Sequence, residues 1–389
     1  MLLLSKDSTP KHDEAFKIVQ ESLASGIKIA DTEEMKEKFA KEAAKLANGI
    51  MIEFGISNVN SSTQVKEYFS KSLSKEDLDM CKKNGNLSFD RTSLEYLSAR
   101  GIRAAQLIRQ CRVLQKKVTT LSKLDGFKDK ESLVHPESSI GKTNRLNYAN
   151  PPLMSINKDM VWDVVLPREE DSTLYSIDII QQEPTILVNM LNIQELKVIM
   201  VEVEDFYTAI FKLVFGRICT EEERAEVKTA WNAMSYGAAE KTIIKYSSLI
   251  DGGELYRYFD AIPEYKNYKR ECKRLAKNKI QKQITYFGKE VYAEESGKRL
   301  ERVLLDIPIQ GTGADILAML VEKFDHDVNR YGIQDELRLY FTRHDEVVVE
   351  CSNTLKHRMD MEKLLRDIFE FRVEGWTPFR IKVKELNAS

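Results

Sequence analysis

Two acidic residues at a predicted bend give the first chemical signal. Leu337 to Arg343 reads as a strand, His344-Asp345-Glu346 sits at the bend, and Val347-Val348-Val349-Glu350 reads as the return strand. Adjacent carboxylates held at a tight bend are well placed to bind a divalent metal, although charged residues at hairpin tips are also the ordinary makeup of a solvated turn. Far upstream, Thr173-Leu174-Tyr175-Ser176-Ile177 reads as a buried strand ending in Asp178, followed by Ile179-Ile180-Gln181-Gln182-Glu183. A second carboxylate therefore leaves the end of a second strand, as a two-metal site requires. Two ions about 3.5–4 Å apart can clamp the attacking and leaving oxygens of an in-line displacement at phosphorus. Magnesium suits that task, because it takes oxygen ligands, keeps several waters and is completed by substrate phosphates.

These residues need a substrate-holding element, and the segment from Glu223 to Gly237 offers one. Thr220 is a predicted N-cap with Glu223 as its capping-box partner. Helical spacing puts Arg224, Lys228, Asn232 and Tyr236 in one row. Such a row is either a solvated helix face or a cradle for a nucleoside triphosphate, whose phosphates attract cations and whose sugar and base accept a polar or aromatic wall.

Taken together, these stretches resemble the polymerase region of a family A DNA polymerase, the family of bacterial DNA polymerase I and many phage replicases. Asp178-x-x-Gln181-x-Glu183 resembles the first palm motif, Arg224-x-x-x-Lys228 with Tyr236-Gly237 the fingers helix, and His344-Asp345-Glu346 the second palm motif. Thr143-Asn144-Arg145-Leu146 leading to Asn150-Pro151 and Leu153, and Arg302-x-x-x-Asp306 through Gln310-Gly311-Thr312-Gly313-Ala314-Asp315, agree in order and spacing. The segment Leu107 to Lys117 resembles the thumb helix, so the likeness covers nearly the whole chain.

The resemblance implies an α+β right-hand polymerase, with an antiparallel palm sheet carrying both aspartates and helical fingers and thumb. It implies that Asp178 and Asp345, helped by the Ile179 carbonyl, hold two Mg2+ ions, with Mn2+ as the alternative, and that Glu346 supports them. Lys228 and Arg224 would grip the incoming deoxynucleoside triphosphate. Gln181, Tyr207, Asn232 and Tyr236 would line its site, and Glu183 would exclude a 2′-hydroxyl. Arg145, Arg302, Gln310 and His344 would follow the minor groove of primer-template DNA, where acceptors lie at similar positions in every base pair.

Breakers in the sequence suggest an N-terminal helical region and thumb over 1–134, palm over 135–190, fingers over 191–300 and the rest of the palm over 301–389. A helix is expected after Gly311, running through Ala314 to Arg330, and loop and turn from His135 to Pro152. At 389 residues, with 42% hydrophobic and 31% charged residues, the chain can bury a substantial core. Its net charge of −2 places any DNA affinity in local fields. Arg103, Arg109, Arg112, Lys116, Lys117 and Lys123 supply one such cluster in the expected thumb, and Lys266 through Lys282 another in the expected fingers. Five cysteines without a Cys-x-x-Cys pair argue against a disulfide framework and a structural zinc site. No apolar run approaches a membrane span of roughly 20 residues, so a cytoplasmic protein acting on DNA in a bacterial or phage-infected cell, without membrane attachment, is expected. Replication accessory proteins are further candidate partners. The thumb-like pattern begins almost at once, so primer extension without proofreading is expected.

Four departures from the family pattern stand out. Asn232 replaces an aromatic residue, Thr185 an arginine and Asp306 an asparagine, while Pro152, Met154 and Ser155 replace polar residues of the primer-contacting loop. The rival readings are a nucleotidyltransferase like the single-subunit RNA polymerases, which lack the glutamate at 183 and usually carry Ser after the aspartate, and a non-catalytic DNA-binding protein on a polymerase fold.

Overall fold

The apolar runs predicted as strands pair into one antiparallel sheet in the computed structural model, which describes residues 1–83 and 85–386, apart from the side chains of residues 155, 158 and 159. Its strands are β1 (Ser172–Ile180), β2 (Leu337–Arg343), β3 (Glu346–Ser352) and β4 (Arg380–Leu386), in the order β2-β3-β1-β4. β2 and β3 are buried along nearly their whole length, which explains their near-continuous apolar sequence. At the end of the sheet, β4 alternates apolar residues with the exposed Lys382 and Lys384. Lysines on an edge strand discourage pairing with another chain.

This sheet belongs to the first of two compact units, made of Met1–Ala30, Phe127–Phe206 and Pro263–Ser389. Residues 1–30 join the sheet-bearing unit because Leu2–Leu4 pairs in parallel with Phe371–Val373. His12 also meets the buried Asp315 at 2.6 Å. A two-stranded hairpin, Glu137–Ile140 with Leu146–Ala149, occupies part of the stretch expected as loop.

The helix expected after Gly311 begins far earlier and spans Gly297–Tyr331 through Pro308. Proline lacks the N–H that bonds the carbonyl four residues back and ordinarily breaks a helix there. Here the Leu304 carbonyl accepts from the Tyr268 hydroxyl at 3.4 Å and from the Gln283 amide at 3.5 Å, and Leu305 accepts from Tyr268 at 2.9 Å. Those side chains replace what proline removes. Contrary to expectation, this helix contains an 18-residue stretch with mean hydropathy 1.4, apolar and long enough for a membrane span, yet 83% of it is buried inside the protein. At Gly313 a Cβ would lie 2.7 Å from Gln182 Oε1. The glycine thus lets the helix Gln182–Met190, which carries Glu183, seat directly on the long helix.

The second unit comprises Asp31–Gly126 and Tyr207–Ile262. Helices Glu33–Phe54 and Arg103–Asp125 pack along each other over a core that includes Ile50, Phe69, Leu97 and Ile108. Several cations expected to form a DNA-facing field are engaged within this unit. Arg112 donates to the carbonyls of Val59 and Phe89, both at 2.8 Å, Arg109 meets Glu95 at 3.4 Å, and Lys117 lies over the Phe39 ring. Helix Glu221–Ser235 starts at Thr220 with both halves of the expected capping box formed.

Candidate active site

β1 ends where the acidic residues converge. Asp178 lies opposite Glu346 of β3 on one side and Lys382 of β4 on the other. Directly opposed residues project from the same face of a sheet. Asp345 occupies the two-residue turn closed by the Arg343–Glu346 pair, and its carbonyl accepts the Ile179 N–H at 3.2 Å. That backbone bond ties the turn to the residue after Asp178 and so sets the spacing of the two aspartates. Glu346 is buried and accepts a hydrogen bond from the Ser176 hydroxyl, a partner that sequence reading missed.

Two left-handed residues bracket this cluster, His344 and Gln181, each with φ of 55°. Such backbone costs a non-glycine residue energy and persists only where its surroundings impose it. For Gln181 they do. Its amide donates to Asp205 at 3.0 Å, and its oxygen accepts from the Phe206 N–H at 3.4 Å. His344 is exposed at the turn.

Burial, followed by repulsion from Asp178 and then Glu183, pushes the Asp345 carboxyl up to about 6, against the opposing Arg145 guanidinium. Arg145 and Glu183 form an ion pair at 2.8 Å, each side chain about a fifth exposed. The donors gathered at the two aspartates are hard oxygens in mutual repulsion, which suits Mg2+ or Mn2+. Among the described residues no group of three or more His, Cys, Asp or Glu forms a closed metal cage. Magnesium does not need one, since one or two carboxylates plus substrate phosphates suffice.

The long helix brings Arg302, Asp306 and Gln310 into one row. Arg302 is exposed, and Gln310 accepts from Thr143 at 3.5 Å. Asp306 is half-buried, and its Oδ1 is covered without a hydrogen-bond partner. Burial pushes its carboxyl up to about 7, with Arg145 opposing and Glu183 adding. The folded protein therefore holds this proton to near pH 7, whereas the unfolded chain releases it near the usual value of about 3.9. Stability from this group is present below that lower value and lost as pH rises to 7. Asp306→Asn carries no such penalty. Thermal melts are expected to place it about 2–4 °C above the parent at pH 8 and level with it at pH 4; equal curves at both pH values contradict the assignment.

In the second unit, the predicted row acquires a member from another helix. Tyr207, buried at the start of Phe206–Phe215, lies with its ring 5.7 Å from the Arg224 guanidinium, and its hydroxyl meets Asn232 Oδ1 at 3.4 Å. The tyrosine hydroxyl thus engages the amide oxygen of Asn232, the residue that departs from the family pattern. Lys228 is exposed, Tyr236 half-buried. Trp231 is fully buried and meets Phe259 edge-on at 4.6 Å, so it belongs to the core and the expected helical register holds. Trp231→Ala is expected to cost about 3–5 kcal/mol of stability. Asn232→Phe, at the half-buried neighbouring position, is expected to keep the fold. Chemical denaturation checks both; a Trp231→Ala protein as stable as the parent contradicts the core placement.

Residues 29–384 match the model of DNA polymerase family A. The chain belongs to this family. It is 28% identical to DNA polymerase I of Aquifex aeolicus over 282 residues, which is 69% of this chain and 47% of the relative. With DNA polymerase I of Rhizobium leguminosarum it shares 25% identity over 307 residues, 73% of this chain and 29% of the relative. The chain thus spans about half or less of the length of these curated relatives. Its fold matches the polymerase domain of M. smegmatis Pol1, solved with DNA primer-template and dNTP, with a TM-score of 0.79 and 20% identity over 96% of this chain and 69% of that one. The family A polymerase fold is thus an α+β arrangement here as well, and both expected aspartates lie on its antiparallel sheet or in its hairpin turn.

Proposed function

We propose that this chain is a DNA-directed DNA polymerase, extending a primer on a DNA template by two-metal transfer of a nucleotidyl group from deoxynucleoside triphosphates. The observation that carries this reading is the backbone bond from Ile179 to Asp345, which holds a strand-end carboxylate beside a turn carboxylate. Asp178, Asp345 and the Ile179 carbonyl would hold the ions, and Glu346, fixed by Ser176, keeps the turn in place. When bound, the ions stabilise the attacking and leaving oxygens. The primer 3′-oxygen attacks the α-phosphorus, and the bond to the β-phosphate bridging oxygen breaks, releasing pyrophosphate. Lys228 and Arg224 draw the triphosphate, with Gln181, Tyr207, Asn232 and Tyr236 as further nucleotide contacts. Arg145, Arg302, Gln310 and His344 contact the duplex.

We infer that Glu183, held by Arg145 at 2.8 Å, excludes a 2′-hydroxyl, and this supports DNA over RNA synthesis. Residues 29–384, which the family match covers, are proposed to extend primers without editing them. Incubation of the purified chain with a labelled primer-template, magnesium and each nucleotide type tests this. Template-directed growth with deoxynucleotides alone, and an intact primer without nucleotides, are expected. Growth with ribonucleotides at equal rates contradicts the DNA assignment, no growth contradicts catalysis, and shortening of the primer contradicts the absence of editing.

A further inference from the structure

Across the three strands β3, β1 and β4, one face of the sheet runs from Glu346 through Asp178 to Lys382. Charge changes sign along that line. The acidic side, with Asp345 in the adjoining turn, is where the proposed ions would bind; on the other side of Asp178, the opposed residue of the next strand is a lysine. Cα atoms of opposed antiparallel residues lie about 4.5–5.5 Å apart, well within the reach of a lysine. Lys382 is exposed and, among the described residues, makes no ion pair or side-chain hydrogen bond. Its neighbour on the same face, Arg380, is already committed, donating to the carbonyls of Glu204 at 2.7 Å and Met200 at 3.3 Å. Lys384 lies opposite Ser176, two residues farther from the strand end that carries Asp178.

An anion that joins the ions at Asp178 from the side away from the hairpin meets Lys382 first. In primer extension that anion is the β,γ-diphosphate part of the nucleotide, which gains one negative charge when its bridging oxygen leaves the α-phosphorus as part of pyrophosphate. We propose that Lys382 binds the departing pyrophosphate, donating to a non-bridging phosphate oxygen beside Asp178. The inference rests on the polymerase reading above. The bland alternative is that Lys382 and Lys384 serve only to guard the sheet edge. The two readings differ in what they make equivalent. Edge guarding treats both lysines alike, whereas pyrophosphate binding singles out Lys382.

Calorimetric titration of magnesium pyrophosphate into the protein bound to primer-template DNA, paired with pyrophosphate inhibition of primer extension, separates them. Loss of one charge-assisted contact in Lys382→Gln is expected to weaken pyrophosphate binding and raise the half-inhibitory concentration, each about tenfold. Lys382→Arg should restore both to within about threefold, and Lys384→Gln should match the parent. Because Lys382 is exposed, melting temperatures of the variants should equal the parent's. Unchanged pyrophosphate affinity in Lys382→Gln overturns the proposal, as does equal weakening in Lys382→Gln and Lys384→Gln. A parent protein that binds pyrophosphate through Lys382 yet extends no primer sinks the polymerase reading and leaves the anion site standing.

Discussion

Asp178→Asn and Asp345→Asn are each expected to slow nucleotide addition by at least about a thousandfold, equivalent to roughly 4 kcal/mol of lost transition-state stabilisation. Each substitution removes a formal charge from the proposed metal site while leaving the side-chain volume nearly unchanged. Primer-template affinity should stay near the parent's, because duplex affinity comes mainly from contacts to phosphates. The stability of the two variants sharpens the test. Burial and Asp178 together push Asp345 up to about 6, so the parent carries an unfavourable charge arrangement that either Asn relieves. Both variants should melt no lower than the parent, as expected of a site that gives up stability for function. Single-turnover extension and thermal melts measure the two quantities; near-parent extension by either variant removes that aspartate from the metal assignment.

The second large effect concerns the sugar. Glu183→Ala is expected to reduce discrimination against ribonucleotides by about a hundredfold, equivalent to roughly 2.7 kcal/mol, because it opens the space a 2′-hydroxyl needs. The ion pair with Arg145 at 2.8 Å makes a second variant informative. Glu183→Gln keeps the volume and gives up the charge. If exclusion is steric, Glu183→Gln retains most of the discrimination while Glu183→Ala loses it. Ratios of kcat/KM for each deoxynucleotide and its ribonucleotide decide this, and unchanged ratios in Glu183→Ala move the gate to another residue.

Much of the acidic centre was legible because its signals are local. A largely apolar strand pattern ending in Asp178, a strand–turn–strand pattern around Asp345, and Thr220 three residues before Glu223 each declare themselves within a few positions. What escaped the sequence depends on partners far along the chain. Nothing near Glu346 announces Ser176, and nothing near Arg145 announces an ion pair with Glu183. Asn232 looked like an unfilled aromatic position until Tyr207 was found against it. The early helix start at Gly297 was hidden by Pro308, whose cost is offset by the hydroxyl and amide of Tyr268 and Gln283. The placement of residues 1–30 was illegible for a similar reason, since a strand of three leucines carries too little pattern to show that its partner is Phe371–Val373. Lys382 has no local motif at all. Only the register of β4 on β1 sets it opposite Asp178.

The central claim is that Asp178 and Asp345 jointly hold the ions that drive nucleotide transfer. Its most direct test is a count of manganese ions by electron paramagnetic resonance in the complex of the protein with a dideoxy-terminated primer-template and the next deoxynucleoside triphosphate. The account predicts two ions per parent complex and fewer in Asp345→Asn and Asp178→Asn at the same free manganese concentration. Two ions retained in both variants, or a parent complex that holds no more manganese than the free nucleotide does, would contradict it.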